Sequence, residues 1–274
     1  MKLEINRKIS FLSKFNLYRL VQLNLPIAIS GGFLSGVMAV AANSELSWCY
    51  SLVVCFGILA VYNLHRWYKL MLVSGASDKH CLLNGLVGLV SLLVSSVLFM
   101  LVLKDLITLL LLGVLFFISI WYVYPLFGIK LREIRMFKGF LVAVVWTVVV
   151  AVFPMFYAQQ PAALNFIIGL FLFLLALTIP FDIRDIRKDG PGKITLPQVV
   201  GVPVSKIVSI VFLMLGLLLT VSKSLKMSTI GMALFILFLY MILLRYLKAD
   251  SSSEYFAFFD LLLVVYSGLI YLVA

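Results

Sequence analysis

Asp182, Asp185 and Asp189 stand three and four residues apart in the stretch D-I-R-D-I-R-K-D, and they are three of only eleven acidic residues in a chain of 274. On a helix this spacing places all three carboxylates on one face. The apolar run Phe166–Ile179 precedes them, which sets the acids at the C-terminal end of a helix, where the macrodipole disfavours negative charge. Such a cluster calls for a compensating cation. Mg²⁺ suits it, because that ion takes a few carboxylates and shares its other positions with water and substrate phosphates. The opposing reading is a solvated loop in which Arg184, Arg187 and Lys188 neutralise the acids. Gly190, Pro191 and Gly192 then break the helix, and Lys193 to Pro197 lead into a further apolar run after Pro203.

The elements that must position these residues follow from composition. The chain is 64% hydrophobic and 12% charged, with a mean hydropathy of +1.17. A soluble domain could not cover that much apolar surface, so the expected fold is all-α and polytopic in a membrane, a single domain over residues 1–274. The net charge of +11 is read as loop bias and attraction to anionic lipid, not as a nucleic-acid footprint. Cys49, Cys55 and Cys81 are odd in number and lie in or beside apolar runs, so they read as packing residues; His65 and His80 lack a zinc-like spacing.

Residues 1–20 are basic, with Ile5, Ile9, Leu12, Phe15 and Leu20 near helical spacing. They are expected to form an amphipathic segment on the membrane surface, not a cleaved signal peptide. Nine spans are then expected, near 22–43, 47–68, 82–103, 106–126, 138–158, 162–182, 204–222, 227–247 and 255–273. With those spans, every Lys and Arg among the 22 except Lys104, Lys223 and Lys226 falls on one side. The positive-inside rule makes that side cytoplasmic, with the N-terminus inside, the C-terminus outside, and the longer polar loops facing the cytoplasm of a cell inner or plasma membrane.

The pattern D-x-x-D-x-x-x-D-x-x-G-K-x-T-L-P-x-x-x-G, from Asp182 to Gly201, resembles the second aspartate motif of the UbiA superfamily of intramembrane prenyltransferases. The resemblance covers about twenty positions and includes the T-L-P after the lysine. It implies a UbiA-like bundle of nine helices around a cytoplasm-facing cavity. There, two aspartate motifs hold Mg²⁺ on an isoprenyl diphosphate, and the isoprenyl group passes to a lipophilic or aromatic acceptor. By this resemblance Asp182, Asp185 and Asp189 are the catalytic and metal-binding residues. The segment Y-P-L-F-G-I-K-L-R, Tyr124 to Arg132, is similar to the family's Tyr-Pro segment and its phosphate-gripping basic pair, here separated by Leu131.

The first motif departs. Where the family has N-D-x-x-D-x-x-x-D the chain reads N-L-H-R-W-Y-K-L-M, keeping Asn63 but placing Leu64, Trp67 and Met71 at the aspartate positions. Asp78 in the following loop is out of register. Arg66 and Lys69, with His65, would then neutralise phosphate directly, Arg through its planar fork. The expected substrate-binding set is Asn63, Arg66, Lys69, Tyr124, Lys130, Arg132 and Lys193, with Gln22 or Asn24 adding contacts from the first span. Asp260, a lone acid near the start of the last span, is a further polar candidate. For Arg66, Lys69 and the Lys130–Arg132 pair, the alternative is anchoring at the inner membrane edge. Two other functions remain open from the sequence: a non-catalytic binder of isoprenoid or quinone lipid, and a small-solute transporter.

Overall fold

The computed structural model describes residues 18–44, 47–74, 78–102, 106–159, 164–186, 194–222, 224–248 and 251–274. Most of the expected surface segment at 1–20 therefore lies outside the described residues, as do Arg187, Lys188, Asp189 and Lys193. The described residues are helical with no strand: α1 Leu25–Ala41, α2 Ser47–Ser74, α3 Lys79–Val102, α4 Leu106–Val123, α5 Phe137–Tyr157, α6 Leu164–Asp185, α7 Leu196–Val221, α8 Met227–Tyr246 and α9 Ser253–Val273. Seven of these are long and apolar enough to cross a membrane. An eighth is α4, if it is counted together with the helical turns that follow it at a 55° bend; α1 is a shorter apolar helix of 17 residues. The chain is a helical integral membrane protein.

Contacts run in a closed circuit, α1 to α9 to α8 to α7 to α6 to α5 and back to α1, with α2 against α1 and α3 against α2. The circuit is filled by Leu34, Met38, Trp146, Phe173, Tyr240, Phe259 and Tyr266. Outside it, α3 presents Leu82, Leu86, Leu89, Leu93 and Met100 as exposed residues, as a lipid-facing helix should.

Small residues set the closest approaches, since helices in lipid associate by packing and not by hydrophobic exclusion. A Cβ on Gly32 of α1 would lie 2.6 Å from the Cys55 Cβ and 2.9 Å from the Ser51 carbonyl oxygen, and the Ser51 hydroxyl donates to the Gly32 carbonyl at 2.6 Å. Likewise Gly169 and Gly216 let α6 and α7 meet backbone to backbone.

Two prolines inside spans are accommodated by hydroxyl groups from neighbouring helices. Near Pro154, α5 widens into a π turn over Val148–Val152, and the Tyr50 hydroxyl donates to the Val149 carbonyl there at 2.6 Å. In α6, Pro180 has no amide hydrogen to offer the carbonyl four residues earlier, that of Ala176. That carbonyl instead accepts from the Tyr240 hydroxyl at 2.7 Å and the Ser209 hydroxyl at 3.0 Å. Helix α6 is thereby tied to α7 and α8 at Ala176, less than two turns before Asp182.

The T-L-P-x-x-x-G stretch becomes a short helical entrance to α7. Thr195 precedes the first turn, its amide donating to the Gln198 side chain at 2.9 Å, and Pro197 sits where a missing amide hydrogen costs nothing. Gly201 then breaks the regular backbone with φ 80° and ψ 161°, a region open to glycine alone. Helix α7 therefore begins eight residues before the expected position at 204.

Candidate functional site

The acids of the last turn of α6 point inward. Asp182 is buried, with 7% of its surface exposed. Its Oδ1 lies 2.9 Å from the Nζ of Lys138, and the same ammonium lies 3.3 Å from Oδ2 of Asp185. Asp182 and Asp185 thus converge on a single cationic point, as residues three apart on one helix face should. Gly139 makes this possible, because a Cβ there would fall 2.7 Å from the Thr178 hydroxyl and hold the start of α5 away from α6. The lead-in to α5 is fixed in turn by the Met136 amide, which donates to the Ile194 carbonyl just before α7 at 2.8 Å.

Arg184 completes the charge balance. Its Nε donates to Asp185 Oδ1 at 2.9 Å, and its guanidinium lies over the Phe256 ring at 4.6 Å and the Phe181 ring at 5.2 Å. Phe256 and Asp260 share a face of α9, one turn apart. The Arg184 charge reaches Asp260, and both act on the Tyr62 hydroxyl. Asp260 thus lies one turn along α9 from the Phe256 ring that Arg184 covers.

The basic residues of the degenerate first motif divide. Asn63 is fully buried and its side-chain amide donates to the carbonyls of Leu23 and Leu59 at 2.9 and 2.8 Å. Arg66 donates to the Gln22 carbonyl at 2.9 Å, while its charge still reaches Arg184. These two side chains hold the bend before α1, where Asn24 adopts a left-handed backbone with φ 57°. The carbonyl oxygen of the Asn63 side chain is left buried without a partner. His65 meets the Ser119 carbonyl at 2.8 Å, stacks on Tyr122, and feels the charges of Lys69 and Arg132. Tyr122 in turn lies in the field of Lys138, Arg132, Asp182 and Asp185. It links the two halves of the cluster.

Of the Tyr124–Arg132 segment, Arg132 exerts its charge on Tyr122 and His65, whereas Lys130 pairs with Glu133 at 3.4 Å at the protein edge. Tyr124 packs against Tyr68 with ring centroids 4.1 Å apart and the rings tilted by 36°. Asp78, the out-of-register acid, accepts the His80 amide at 3.2 Å at the start of α3. Asp189 and Lys193 lie outside the described residues.

Lys138 is the site residue that the sequence pattern does not single out. As one more charge in a basic loop it carries no signal; its position directly before Gly139, at the start of an apolar helix, is the clue. Among the described residues no group of three or more His, Cys, Asp or Glu side chains comes together. Of the three expected ligands, the described residues bring Asp182 and Asp185 together. Two carboxylates aimed at one point that already holds an ammonium fit a hard divalent ion that completes its shell with water and phosphate oxygens.

A hollow of about 350 Å³ lies between Val40, Ala41, Asn43, Tyr271 and Ala274, at the end of α1 and α9 remote from Phe256 and Asp260. Another, of about 250 Å³, lies between α8 and α9 along Leu239, Leu243, Phe258 and Leu262. Neither is lined by the α6 acids. No protein-family model, curated protein or solved structure matches the chain.

Proposed function

We propose that this protein is a prenyltransferase-like membrane enzyme that moves an isoprenyl group from its diphosphate to a lipophilic or aromatic acceptor. One observation carries the reading: Asp182 and Asp185, in the stretch that resembles the UbiA second aspartate motif, turn into the bundle and share one cationic point instead of facing water. Acids so placed at the end of an apolar helix are costly unless they serve a charge.

Asp182 and Asp185 would hold Mg²⁺, with Asp189 as the third expected ligand. The bound ion supplies charge stabilisation for a departing pyrophosphate. Lys138, Arg184 and Arg132 offer donors to the phosphate oxygens from three different segments, α5, α6 and the turn before α5. Lys69 adds charge from α2, and Arg66 adds charge there while holding the α1 bend. As the carbon–oxygen bond to the diphosphate breaks, these cations stabilise the leaving anion, and the allylic carbon gains positive character and is captured by the acceptor. The apolar spans keep water from that carbon. The site opens to the cytoplasm, with the N-terminus inside and the C-terminus outside, on the strength of the loop charge bias.

The test is a panel of isoprenyl diphosphates incubated with the purified protein and Mg²⁺, with pyrophosphate release measured. Release that requires Mg²⁺ and is lost in Asp185→Asn is the expected result; no release from any member sinks the enzyme reading. A second reading is favoured by the loss of the first-motif acids, replaced by Leu64, Trp67 and Met71: a non-catalytic relative that binds an isoprenoid or quinone lipid. It predicts a prenyl lipid that co-purifies with the protein and no pyrophosphate release.

A further inference from the structure

We infer that Asp260 is the acceptor end of the site, its carboxyl holding the hydroxyl of a phenol-type molecule that receives the isoprenyl group. The inference rests on the prenyl-transfer reading above. It names a residue and a chemical class that the aspartate motifs do not specify.

Asp260 stands two turns into the 21-residue α9, where an ionisable group is costly unless something answers it. Among the described residues it takes part in no hydrogen bond or ion pair, and Arg184 acts on it only at longer range. The nearer contacts of Arg184 are Asp185 and the Phe256 ring. Asp260 is nonetheless turned inward. Phe256 and Ala257, one turn before it, and Leu263, one turn after it, are buried, while Phe258 and Leu261 on the other side of the helix are exposed. Asp260 itself keeps part of its surface uncovered. An inward carboxyl with uncovered surface and no donor from the protein has room for a donor from a ligand, and a hydroxyl supplies one.

The height of Asp260 in the bundle fits the acceptor better than the phosphates. The Phe181 ring, one turn before Asp185 in α6, lies 5.1 Å from the Phe256 ring and 6.4 Å from the Phe259 ring. Asp260 follows Phe259 and is therefore level with Phe181, roughly one helical turn, about 5 Å, to the membrane side of Asp185. A diphosphate held at Asp182, Asp185 and Arg184 must send its chain toward that side, because α6 ends at Asp185 and the sequence beyond it is polar. The ester carbon that the acceptor attacks then passes the level of Phe181 and Asp260. Tyr62 of α2 lies in the field of both Asp260 and Arg184, so an aromatic ring flanks the same region. A flat acceptor with one hydroxyl suits such surroundings, its ring against rings and its O–H on the carboxyl.

The experiment uses the full chain in nanodiscs and measures, by fluorescence, the binding of naphthol and of its hydroxyl-free analogue methylnaphthalene, with empty nanodiscs as the partition control. Wild type is expected to prefer naphthol by about tenfold, the scale of one hydrogen bond to a charged group. Asp260→Leu removes the carboxyl and keeps the bulk, and should erase that preference. Asp260→Asn keeps a carbonyl oxygen and should retain part of it, which separates loss of the acceptor atom from loss of the fold. A lipophilic carbodiimide, dicyclohexylcarbodiimide, gives a second reading: its adduct at Asp260, scored by peptide mass, should fall with naphthol and not with methylnaphthalene. A preference that survives in Asp260→Leu, or an Asp260 that naphthol does not protect, overturns the inference. Mg²⁺-dependent pyrophosphate release from an isoprenyl diphosphate is followed on the same preparations. Release from wild type alongside those negative results leaves the prenyl-transfer reading standing, and no release from wild type overturns both.

Discussion

The Lys138 ammonium lies 2.9 Å from the Asp182 carboxylate, joining the first turn of α5 to the last turn of α6 inside an apolar bundle. Both side chains are largely buried, at 17% and 9% exposure, so the pair resembles interior ion pairs more than surface ones. Removing one partner of such a pair leaves an uncompensated charge, at a cost of roughly 3 kcal/mol or more. Lys138→Met should therefore lower resistance to chemical unfolding in mixed micelles by about that much. Adding Asp182→Asn should recover part of the loss, and strict additivity of the two changes would show that they do not interact.

The second expectation concerns Pro180. The Ala176 carbonyl that this proline leaves unbonded accepts from both Tyr240 and Ser209. Tyr240→Phe should cost about 1 kcal/mol because Ser209 still donates. Tyr240→Phe combined with Ser209→Ala should cost more than the sum of the two, since the buried carbonyl then has no donor. Pro180→Ala restores an amide hydrogen and should shrink that double loss; if unfolding midpoints show no such rescue, the hydroxyl groups are not serving this carbonyl.

Gly201 is the third test. Its φ of 80° with ψ of 161° is strained for any residue with a Cβ, so Gly201→Ala should destabilise by roughly 1–3 kcal/mol. The space around it is open, with the Pro203 Cδ the nearest atom at 3.8 Å. A loss here therefore reports backbone strain and not crowding. Gly113→Ala, with nothing within 4 Å and no positive φ, is the control and should leave the unfolding midpoint unchanged.

Gly32 tests the opposite cause. A Cβ there meets the Cys55 side chain and the Ser51 carbonyl at under 3 Å, so Gly32→Val should push α1 from α2 at a cost of roughly 1–3 kcal/mol. Pairing it with Cys55→Gly should return part of that stability; failure to do so would place the strain elsewhere.

Much of this fold is legible in the sequence because a lipid-facing helix is written as an apolar run of fixed length. The starts expected near 47, 106, 162 and 255 agree within two residues with those of α2, α4, α6 and α9 at Ser47, Leu106, Leu164 and Ser253. The start of α7 was hidden because Thr195 to Val200 is too polar and too proline-rich to read as part of a span, although Thr195 and Pro197 are ordinary helix-start residues. The acid pair is legible from its spacing. What spacing cannot give is the partner, because Lys138 lies 44 residues before Asp182 along the chain and is brought there by the packing of α5 on α6. The same limit applies to Asn63 and Arg66, whose side chains bond to backbone carbonyls at Leu23 and Gln22, contacts that no motif encodes.

The backbone bond from Met136 to Ile194 stitches together two connections that are distant in sequence, one leading into α5 and the other into α7. A molecule that holds Met136 in place also holds Ile194 through that stitch, so contact at either one is felt at the entrances of both α5 and α7. Binding at this edge should then raise protection from amide exchange together at Met136 and at the first residues of α7.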